Sequence, residues 1–465
     1  MVRSMTVWLA VLTLVTVLPA GCGDSAVGGP PATVSASFES GSIGKVAKVS
    51  DTEWELNIAD DNHDSTLPAS WRSWWYVRMD NLAKDVPTTI TVKNSGWPYY
   101  YLPVYTYDRV AWRHFTEDEV TRNQDNEIIV RKRFAHGTVW VARFYPYTFT
   151  DLEKYAATLT DNLYVDILIP GYSQQGKPIY LLKVTDPKVP VSGKKRIFIH
   201  ARTHPAETPP SFLIEGMIRF LLSGAPEASD ILARFEFYIF PMQNVDGVIA
   251  GNYRSTPKSE NLEVMWIFDG TNPLELVGNI PPEVAILHRQ AKKLMADGGP
   301  PVSIALNLHA SNSEPDIRPF FYPHFGTEAL GYSPEEASLW ENQLRFIDAV
   351  AGRYGPDMIE PVPDEGGSGF AGNSFPESWW WANYRDRVMA MTMEMTYGRA
   401  GYVPRWIEPD DLRNLGGSLA LSIRDCLDNT VPRTKAARGM KGAVGGGTLA
   451  YPELYPPNAA DELKK

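Results

Sequence analysis

The stretch RIFIHARTHPAETPPSFLIEGMIRF, residues 196–220, has a different kind of structure on each side of a polar break. It begins as an apolar run of strand length and resumes after the break as an amphipathic segment of helical period. The break contains His204 and Glu207, separated by Pro205 and Ala206. A neutral imidazole and a carboxylate three positions apart can bind one cation, and zinc accepts such mixed nitrogen and oxygen ligands. The stretch therefore predicts a strand, a loop that holds half of a metal site, and a helix.

Around residues 196–220, strand-length apolar runs alternate with longer segments in which apolar residues recur every three or four positions. The other strand-like runs are residues 164–169, 179–184, 235–241, 303–309 and 388–395. The helical segments are residues 211–222, 282–295, 334–354 and 409–427. One helix start is well marked, because Ser333 is a suitable N-cap and Pro334 suits a first helical turn. The alternation predicts an α/β domain over residues 151–429, with a mixed sheet and helices on both faces.

The preceding part of the chain, residues 34–150, has a β texture. Short apolar or aromatic runs are separated by clusters of Asn, Asp, Gly and Pro, and no segment of helical length and period stands out. Short strands at this spacing are typical of an antiparallel sandwich. We therefore expect an N-terminal β-sandwich domain whose tryptophans and tyrosines serve mainly for packing.

The 465 residues are too many for one ordinary core, so two domains with flexible ends are expected. The formal net charge of −11 argues against a nucleic-acid partner. Residues 23–33 have the composition of a linker, and residues 430–465, rich in Gly, Pro, Ala and Lys, that of a flexible tail.

Residues 1–22 are predicted to be a lipoprotein-type signal peptide. Arg3 provides a short positive region, and residues 6–18 form an apolar run too short to span a bilayer comfortably. The segment ends in Leu-Pro-Ala-Gly-Cys, residues 18–22, which resembles a bacterial lipobox. We therefore expect an exported protein anchored in the bacterial cell envelope by a lipid on Cys22. An ordinary cleaved signal peptide is the alternative.

A third metal ligand and a base are expected at the ends of later strands, since ligands in open α/β sheets gather beyond the carboxyl ends of the strands. His309 closes the run of residues 303–309, where the chain enters a polar loop. Glu394 lies in the otherwise apolar run Val-Met-Ala-Met-Thr-Met-Glu-Met, residues 388–395. A buried carboxylate is costly unless it is paired or has a raised pKa. A salt bridge to an arginine would explain Glu394; together with the His/Glu/His set, a general base is the favoured interpretation.

Four motifs, in this order, resemble those of the M14 zinc metallocarboxypeptidases. They are His-Pro-Ala-Glu at 204–207, Asn-Val-Asp-Gly-Val-Ile-Ala-Gly-Asn-Tyr-Arg at 244–254, Asn-Leu-His at 307–309 and Thr-Met-Glu at 392–394. The N-terminal domain, including Tyr-Pro-Tyr-Thr-Phe-Thr at 145–150, is similar to that of the cytosolic-carboxypeptidase branch. The resemblance covers roughly residues 38–427 and implies a carboxypeptidase-like sheet. It also implies Zn²⁺ on His204, Glu207 and His309, with Glu394 as base and then proton donor, and Arg254 polarising the scissile carbonyl.

The chain departs from the family at the segment that grips a C-terminal carboxylate. Family members have Asp-Leu-Asn-Arg-x-Trp, whereas residues 261–266 read Asn-Leu-Glu-Val-Met-Trp. Glu263 and Val264 then replace the Asn-Arg pair, and Glu263 is expected to face the substrate and repel an anionic terminus. Asn252, beside Arg254, is the other residue expected to contact the substrate. The cations that could compensate for the missing arginine are Arg318, Arg399 and Arg405.

The sequence thus predicts a zinc metallopeptidase that acts as a carboxypeptidase. In this prediction Glu394 activates a zinc-bound water as general base. One alternative is a zinc amidase or endopeptidase acting on cell-wall or modified peptides without a free C-terminal carboxylate, which Val264 favours. A second alternative is a non-catalytic envelope binding protein, against which the intact set of His204, Glu207, His309 and Glu394 speaks.

Overall fold

The computed structural model describes residues 30–97, 100–311, 318–360, 362, 366, 372–399 and 405–430. Residues 1–29, with Cys22 and the proposed signal peptide, lie outside the described residues, and so do residues 431–465 of the proposed tail. The lipid anchor and the export of the protein therefore stay predictions. Among the helices of the described ranges, none combines the length and the apolar character that crossing a bilayer demands.

The N-terminal part folds into two five-stranded sheets that pack face to face. One sheet has the order β1-β4-β10-β6-β7 and the other the order β2-β3-β5-β9-β8. The strands are β1 (Thr33–Ser35), β2 (Val46–Ser50), β3 (Glu53–Asn57), β4 (Tyr76–Asp80), β5 (Pro87–Lys93), β6 (Val104–Thr106), β7 (Arg113–His114), β8 (Val120–Arg122), β9 (Ile128–Arg133) and β10 (Val139–Ala142). The predicted sandwich is confirmed. It is antiparallel except between β3 and β5, which run parallel.

The sandwich follows from residues that alternate along its strands. In β5 every second side chain is buried, as expected for a strand with one face in a core. Inward-facing residues of both sheets form one apolar cluster, which includes Trp54, Leu56, Ile90 and Val130 from one sheet and Val77, Met79 and Val141 from the other.

The second part is an α/β domain built on a seven-stranded sheet of order β11-β12-β14-β13-β17-β19-β18. Its strands are β11 (Val165–Tyr172), β12 (Pro178–Val184), β13 (Lys195–Ala201), β14 (Phe235–Phe240), β17 (Val302–Ala310), β18 (Phe320–Tyr322) and β19 (Met389–Met395), and a small hairpin is formed by β15 (Phe268–Asp269) and β16 (Asn272–Leu276). The four strands β14, β13, β17 and β19 are parallel, while the pairs outside them are antiparallel. The predicted mixed sheet with helices on both faces is confirmed.

Helices pack on this sheet and on one another. They are α1 (Phe149–Leu159), α2 (Pro209–Leu221), α3 (Pro226–Arg234), α4 (Val245–Ala250), α5 (Pro282–Ala296), α6 (Pro334–Tyr354), α7 (Pro376–Tyr384) and α8 (Pro409–Leu427). Helix α6 begins as predicted, because the Ser333 hydroxyl and the Glu336 carboxylate form a capping box. The sequence did not predict α7, where Trp379 and Trp380 are buried in the core and Trp381 is half-buried.

A short segment beyond β19 returns to the sandwich. Trp406 is buried in the sandwich core, and its indole N–H donates to Glu117 of the N-terminal domain. The ring of His114 in β7 contacts the carbonyl oxygen of Ile407, at 3.1 Å, and Arg399 pairs with Glu117 at 2.9 Å. The two domains are therefore joined by buried contacts as well as by the chain.

Candidate active site

The candidate site lies at the carboxyl edge of the four parallel strands. Strand β13 ends at Ala201 and leads through a loop to α2, and this loop carries His204 and Glu207. Strand β17 holds His309 one residue before its end, and β19 holds Glu394 directly opposite it in register. The sheet therefore brings together residues that are far apart in sequence.

Three of these side chains converge on one point. One oxygen of Glu207 lies 2.8 Å from Nδ1 of His204, and the other lies 2.8 Å from Nδ1 of His309. The two Nδ1 atoms are 3.2 Å apart. The ligand atoms all lie within 4.8 Å of one another, and all three residues are buried. Two imidazole nitrogens and a carboxylate form a donor set that is known from catalytic zinc sites, so the residues present fit Zn²⁺.

Burial and the neighbouring charges shift the pKa values of these residues in opposite directions. Burial by itself would raise the pKa of Glu207, but the two histidines beside it hold the net pKa well below its ordinary value. Burial would lower the pKa of His309, yet Glu263 and Glu207 raise it well above the usual range. The cluster thus attracts positive charge, which a proton or a metal ion can supply.

The loop that carries His204 is fixed from inside by Arg202. This buried residue has a φ of 58°, in the left-handed region that residues other than glycine rarely adopt. Its guanidinium donates to the carbonyl oxygens of Pro205 and Tyr147 and to the hydroxyl of Ser211. A strained backbone persists only where its surroundings determine it, and these bonds fix the path of the chain between β13 and α2.

Each histidine ligand has an outer partner that orients its ring. Asn261 Oδ1 lies 3.1 Å from Nε2 of His204, and a Glu263 oxygen lies 3.1 Å from Nε2 of His309. The amide of Asn307 donates to both oxygens of Glu263, at 3.0 and 3.2 Å. Such contacts hold the proton on Nε2 and leave Nδ1 free for a metal.

The place of Glu263 differs from the sequence-based expectation. Glu263 was expected to face the substrate, but it is buried and its carboxylate bonds His309 and Asn307. The reason is local geometry, since the short 3₁₀ turn Leu262–Val264 directs the side chain inward. The neighbouring turn residue Val264 is half-buried and carries no charge.

Replacing Glu263 with glutamine is expected to weaken zinc binding about 10- to 100-fold, the usual effect of losing an outer partner of a ligand. A neutral amide accepts the His309 proton less well, so the imidazole becomes a poorer ligand. Zinc affinity measured by competition with a chelator tests this prediction. Glu53→Gln, an exposed change in β3, is the matched control, and equal affinity of the two variants would contradict the assigned role.

Glu394 fits the role of a base next to this cluster. It is only 9% exposed, and its Oε2 has no hydrogen-bond partner among the described residues. Burial is the largest cause that raises the pKa of Glu394, to about 8, while His309 and Arg254 pull in the opposite direction. The alternative of a structural salt bridge is not supported, since Glu394 forms no ion pair within the described ranges. Its open oxygen is available to a ligand or a water.

Arg254 lies near both Glu394 and the histidines. It is half-buried, and after burial its charge is the main cause that lowers the pKa of His204. In the described part of the chain its guanidinium makes no hydrogen bond or ion pair, which leaves its donors available. Neighbouring Asn252, expected to contact the substrate, instead uses its side-chain amide to bond Asn62, Ser255 and Thr256.

The three arginines considered as substitutes for the missing carboxylate-binding arginine already have carboxylate partners. Arg318 pairs with Glu360 through two nitrogens, Arg399 with Glu117, and Arg405 with Asp411. Each of these guanidinium groups is thus partly engaged, which makes it less available to a substrate carboxylate.

Comparisons with known proteins agree with this geometry. A sequence profile described as "Cytosolic carboxypeptidase N-terminal domain" matches residues 34–144, and one described as "Zinc carboxypeptidase" matches residues 154–271. Human cytosolic carboxypeptidase 2 is 30% identical over 256 residues, which are 48% of this chain and 28% of that protein. Cytosolic carboxypeptidase 6 of Caenorhabditis elegans is 27% identical over 334 residues, 66% of this chain and 67% of that protein. The chain thus spans less than a third of the human relative's length.

Solved structures share the fold of both domains. The metallo-carboxypeptidase from Burkholderia cenocepacia has a TM-score of 0.70 and 19% identity, covering 86% of this chain and all of that one. A metallo-carboxypeptidase from Pseudomonas aeruginosa has a TM-score of 0.70 and 22% identity, covering 85% of this chain and 99% of that one. Residues 154–271 thus match the M14 zinc carboxypeptidase family. Residues 34–144 match the N-terminal domain of the cytosolic carboxypeptidases.

Proposed function

We propose that this protein is a zinc-dependent metallocarboxypeptidase that hydrolyses peptide bonds. The observation that carries the proposal is the buried convergence of His204, Glu207 and His309, with the open carboxylate of Glu394 opposite His309 in the sheet. The names of the cytosolic carboxypeptidases that this chain resembles support the same reaction.

His204, Glu207 and His309 would hold the zinc ion. When bound, Zn²⁺ acts as a Lewis acid on the scissile carbonyl and lowers the pKa of a coordinated water. Asn261 and Glu263 keep the two imidazole rings in the orientation that presents Nδ1.

Glu394 would move the proton of the reaction. Its carboxylate accepts a proton from the attacking water and then delivers that proton to the leaving amine. The raised pKa of Glu394 suits both tasks, because a carboxyl whose pKa lies near the working pH can both accept and release a proton. The guanidinium of Arg254 donates hydrogen bonds to the oxyanion that forms on the carbonyl, a contact typically worth a hundredfold or more in rate.

A second candidate function, hydrolysis of peptides or amides without a free C-terminal carboxylate, is favoured by the segment of residues 261–266. Val264 is uncharged where the family has a carboxylate-binding arginine, and Glu263 is engaged with His309. The ion pairs of Arg318, Arg399 and Arg405 support this candidate further. In both candidates the guanidinium of Arg254 binds the oxyanion, so Arg254 does not distinguish between them.

A peptide panel distinguishes the two candidates. We expect the wild-type protein to cleave peptides with a free C-terminal carboxylate at least about tenfold faster than the same peptides with an amidated C-terminus, since one charge-assisted contact is worth about 1.5–3 kcal/mol. Mass spectrometry of the products gives both the rate and the position of cleavage. Glu394→Gln is the control for contaminating peptidases. Equal cleavage of amidated peptides, or cleavage in the middle of the chain, would favour the second candidate. Loss of zinc-dependent cleavage on every substrate would reject both.

A further inference from the structure

The loop that carries Arg254 is held by the N-terminal sandwich as well as by its own domain, in which the Ala206 N–H donates to the carbonyl oxygen of Tyr253 at 3.1 Å. A short turn between β3 and β4, residues 61–63, reaches this loop. Asp61 Oδ1 accepts from the backbone N–H of Tyr253 at 2.7 Å, and Oδ2 accepts from the N–H groups of Arg254 and Ser255, each at 2.8 Å. The Ser255 hydroxyl also donates to Oδ2, at 3.0 Å. One carboxylate therefore binds three consecutive residues centred on Arg254.

Asn62 extends this contact along the same loop. Its side-chain oxygen accepts from the Asn252 amide at 2.8 Å, and its side-chain amide donates to the carbonyl oxygen of Thr256 and to the hydroxyl of Ser259, both at 3.0 Å. The sequence predicted that Asn252 contacts the substrate. In the structure its side-chain amide instead bonds Asn62 of the sandwich. Asp61 and Asn62 thus fix the loop on both sides of Arg254.

A second segment of the sandwich supports the start of the loop. The Ser40 hydroxyl donates to the carbonyl oxygen of Val248 at 2.8 Å, and the Ser40 N–H donates to that of Ile249 at 3.1 Å. Gly251 follows with a φ of 77°, and a Cβ there would lie 2.3 Å from the carbonyl oxygen of Gly41. The turn after α4 can approach the sandwich this closely only because residue 251 is glycine.

The charge of Asp61 is compatible with its burial because of these donors. Asp61 is only 4% exposed, and burial raises the pKa of its carboxyl, while the bonds from residues 253–255 lower it. A buried carboxylate without such donors would be strongly unfavourable. The four donors are themselves backbone and hydroxyl groups that need an acceptor once water is excluded. Carboxylate and loop therefore depend on each other.

We infer that Asp61 of the sandwich is a positioning residue for Arg254. This inference rests on the proposed function, in which the guanidinium of Arg254 binds the oxyanion. That guanidinium has no hydrogen bond of its own in the described part of the chain, so its position depends on the backbone from which it extends. The backbone N–H groups of residues 253–255 are held by Asp61. The N-terminal domain thus contributes to transition-state binding without touching the substrate.

The test is Asp61→Asn in the full-length chain loaded with zinc. The substitution keeps the shape but places an N–H₂ group against backbone donors, so the loop shifts. We expect kcat to fall about tenfold to a hundredfold, because small misplacements of catalytic groups have effects of this size. KM should stay within about twofold and zinc content should be unchanged, since only transition-state binding is affected. Asp125→Asn, an exposed change with the same charge difference in the same domain, is expected to behave as wild type.

A double-mutant cycle separates positioning from general destabilisation. In the Arg254→Gln background, Asp61→Asn should cost less than about twofold in kcat, because the group that it positions is gone. Ser255→Ala, which removes one of the four donors to Asp61, should lower kcat about threefold with the same unchanged KM; it also serves if Asp61→Asn does not fold.

The outcomes of these experiments decide the inference. Losses that add fully in the cycle, or a loss of zinc or a higher KM in folded Asp61→Asn or Ser255→Ala protein, would overturn it. Wild-type cleavage that depends on Glu394 but is insensitive to Asp61→Asn would overturn the positioning role alone and leave the proposed function standing. Absence of any Glu394-dependent cleavage by the wild-type protein would reject the proposed function and, with it, this inference.

Discussion

Replacing Glu394 with glutamine is expected to lower kcat/KM by about a hundredfold to ten-thousandfold, the range that a positioned acid–base group contributes. The amide keeps the shape of the side chain but can neither accept the proton of the water nor return it to the leaving amine. Steady-state hydrolysis of a peptide, together with zinc content by elemental analysis, measures the effect. Zinc content should be that of the wild type, because Glu394 is not one of the three ligands.

The pH profile gives an independent measurement of the same role. The pKa of Glu394 is raised to about 8, chiefly by burial, and the carboxyl is inactive as a base while it is protonated. The rate should therefore rise with pH through the pKa of Glu394. A bound zinc ion places positive charge beside the carboxylate, which lowers the pKa, so the midpoint in the loaded enzyme is expected below 8. The residual activity of Glu394→Gln should lack this rise; the same profile in both proteins would assign the proton transfer to another group.

Replacing His309 with alanine, or removing the metal with a chelator, is expected to abolish detectable hydrolysis. The substitution deletes one of three protein ligands and leaves Glu207 with a single histidine. Zinc affinity should fall at least about a hundredfold, since the binding free energy of such sites is shared among a few ligands. Equilibrium dialysis against zinc measures this loss, and activity should return to chelated wild-type protein, but not to the variant, when zinc is added back.

The affinity of the site for zinc should also depend on pH. In the metal-free protein Glu263 and Glu207 hold the pKa of His309 well above its usual value, despite burial. Protons therefore compete with the metal, and zinc should be lost progressively as the pH falls.

The control for the His309→Ala prediction is His136→Ala, which changes an exposed histidine of the sandwich. Retention of zinc by His309→Ala at the wild-type level would contradict the ligand assignment.

The sequence predicted those site residues that are polar or charged but lie within an apolar run or directly after one. Glu394 stood out as a carboxylate in an apolar run, and in the structure the whole of β19 is buried. His204 and Glu207 stood out because a polar break follows a buried strand. In each case the position within one element carried the information, since strand ends and alternating faces follow from short-range geometry.

The remaining parts depend on contacts that no local pattern contains. Glu263 occupies a recognisable place in the motif, but only the 3₁₀ turn determines that it faces His309. Helix α7 was missed because its consecutive tryptophans give no helical period. Asp61 lies in an ordinary polar turn, and its partners are about 190 residues further along the chain. Contacts between distant segments were therefore predicted only where strand ends share one edge of the sheet or where a family resemblance named both members.

The place of Trp406 in the sandwich core has a consequence for biosynthesis. The sandwich is translated first, but its apolar cluster includes this side chain, which is translated more than 250 residues after β10. A nascent chain that ends within the sheet of the second domain therefore lacks one side chain of the first domain's apolar core. Domains often complete folding in the order of translation; here the apolar core of the domain made first is complete only after residue 406 has been added. Until then it exposes the apolar surface that Trp406 later covers.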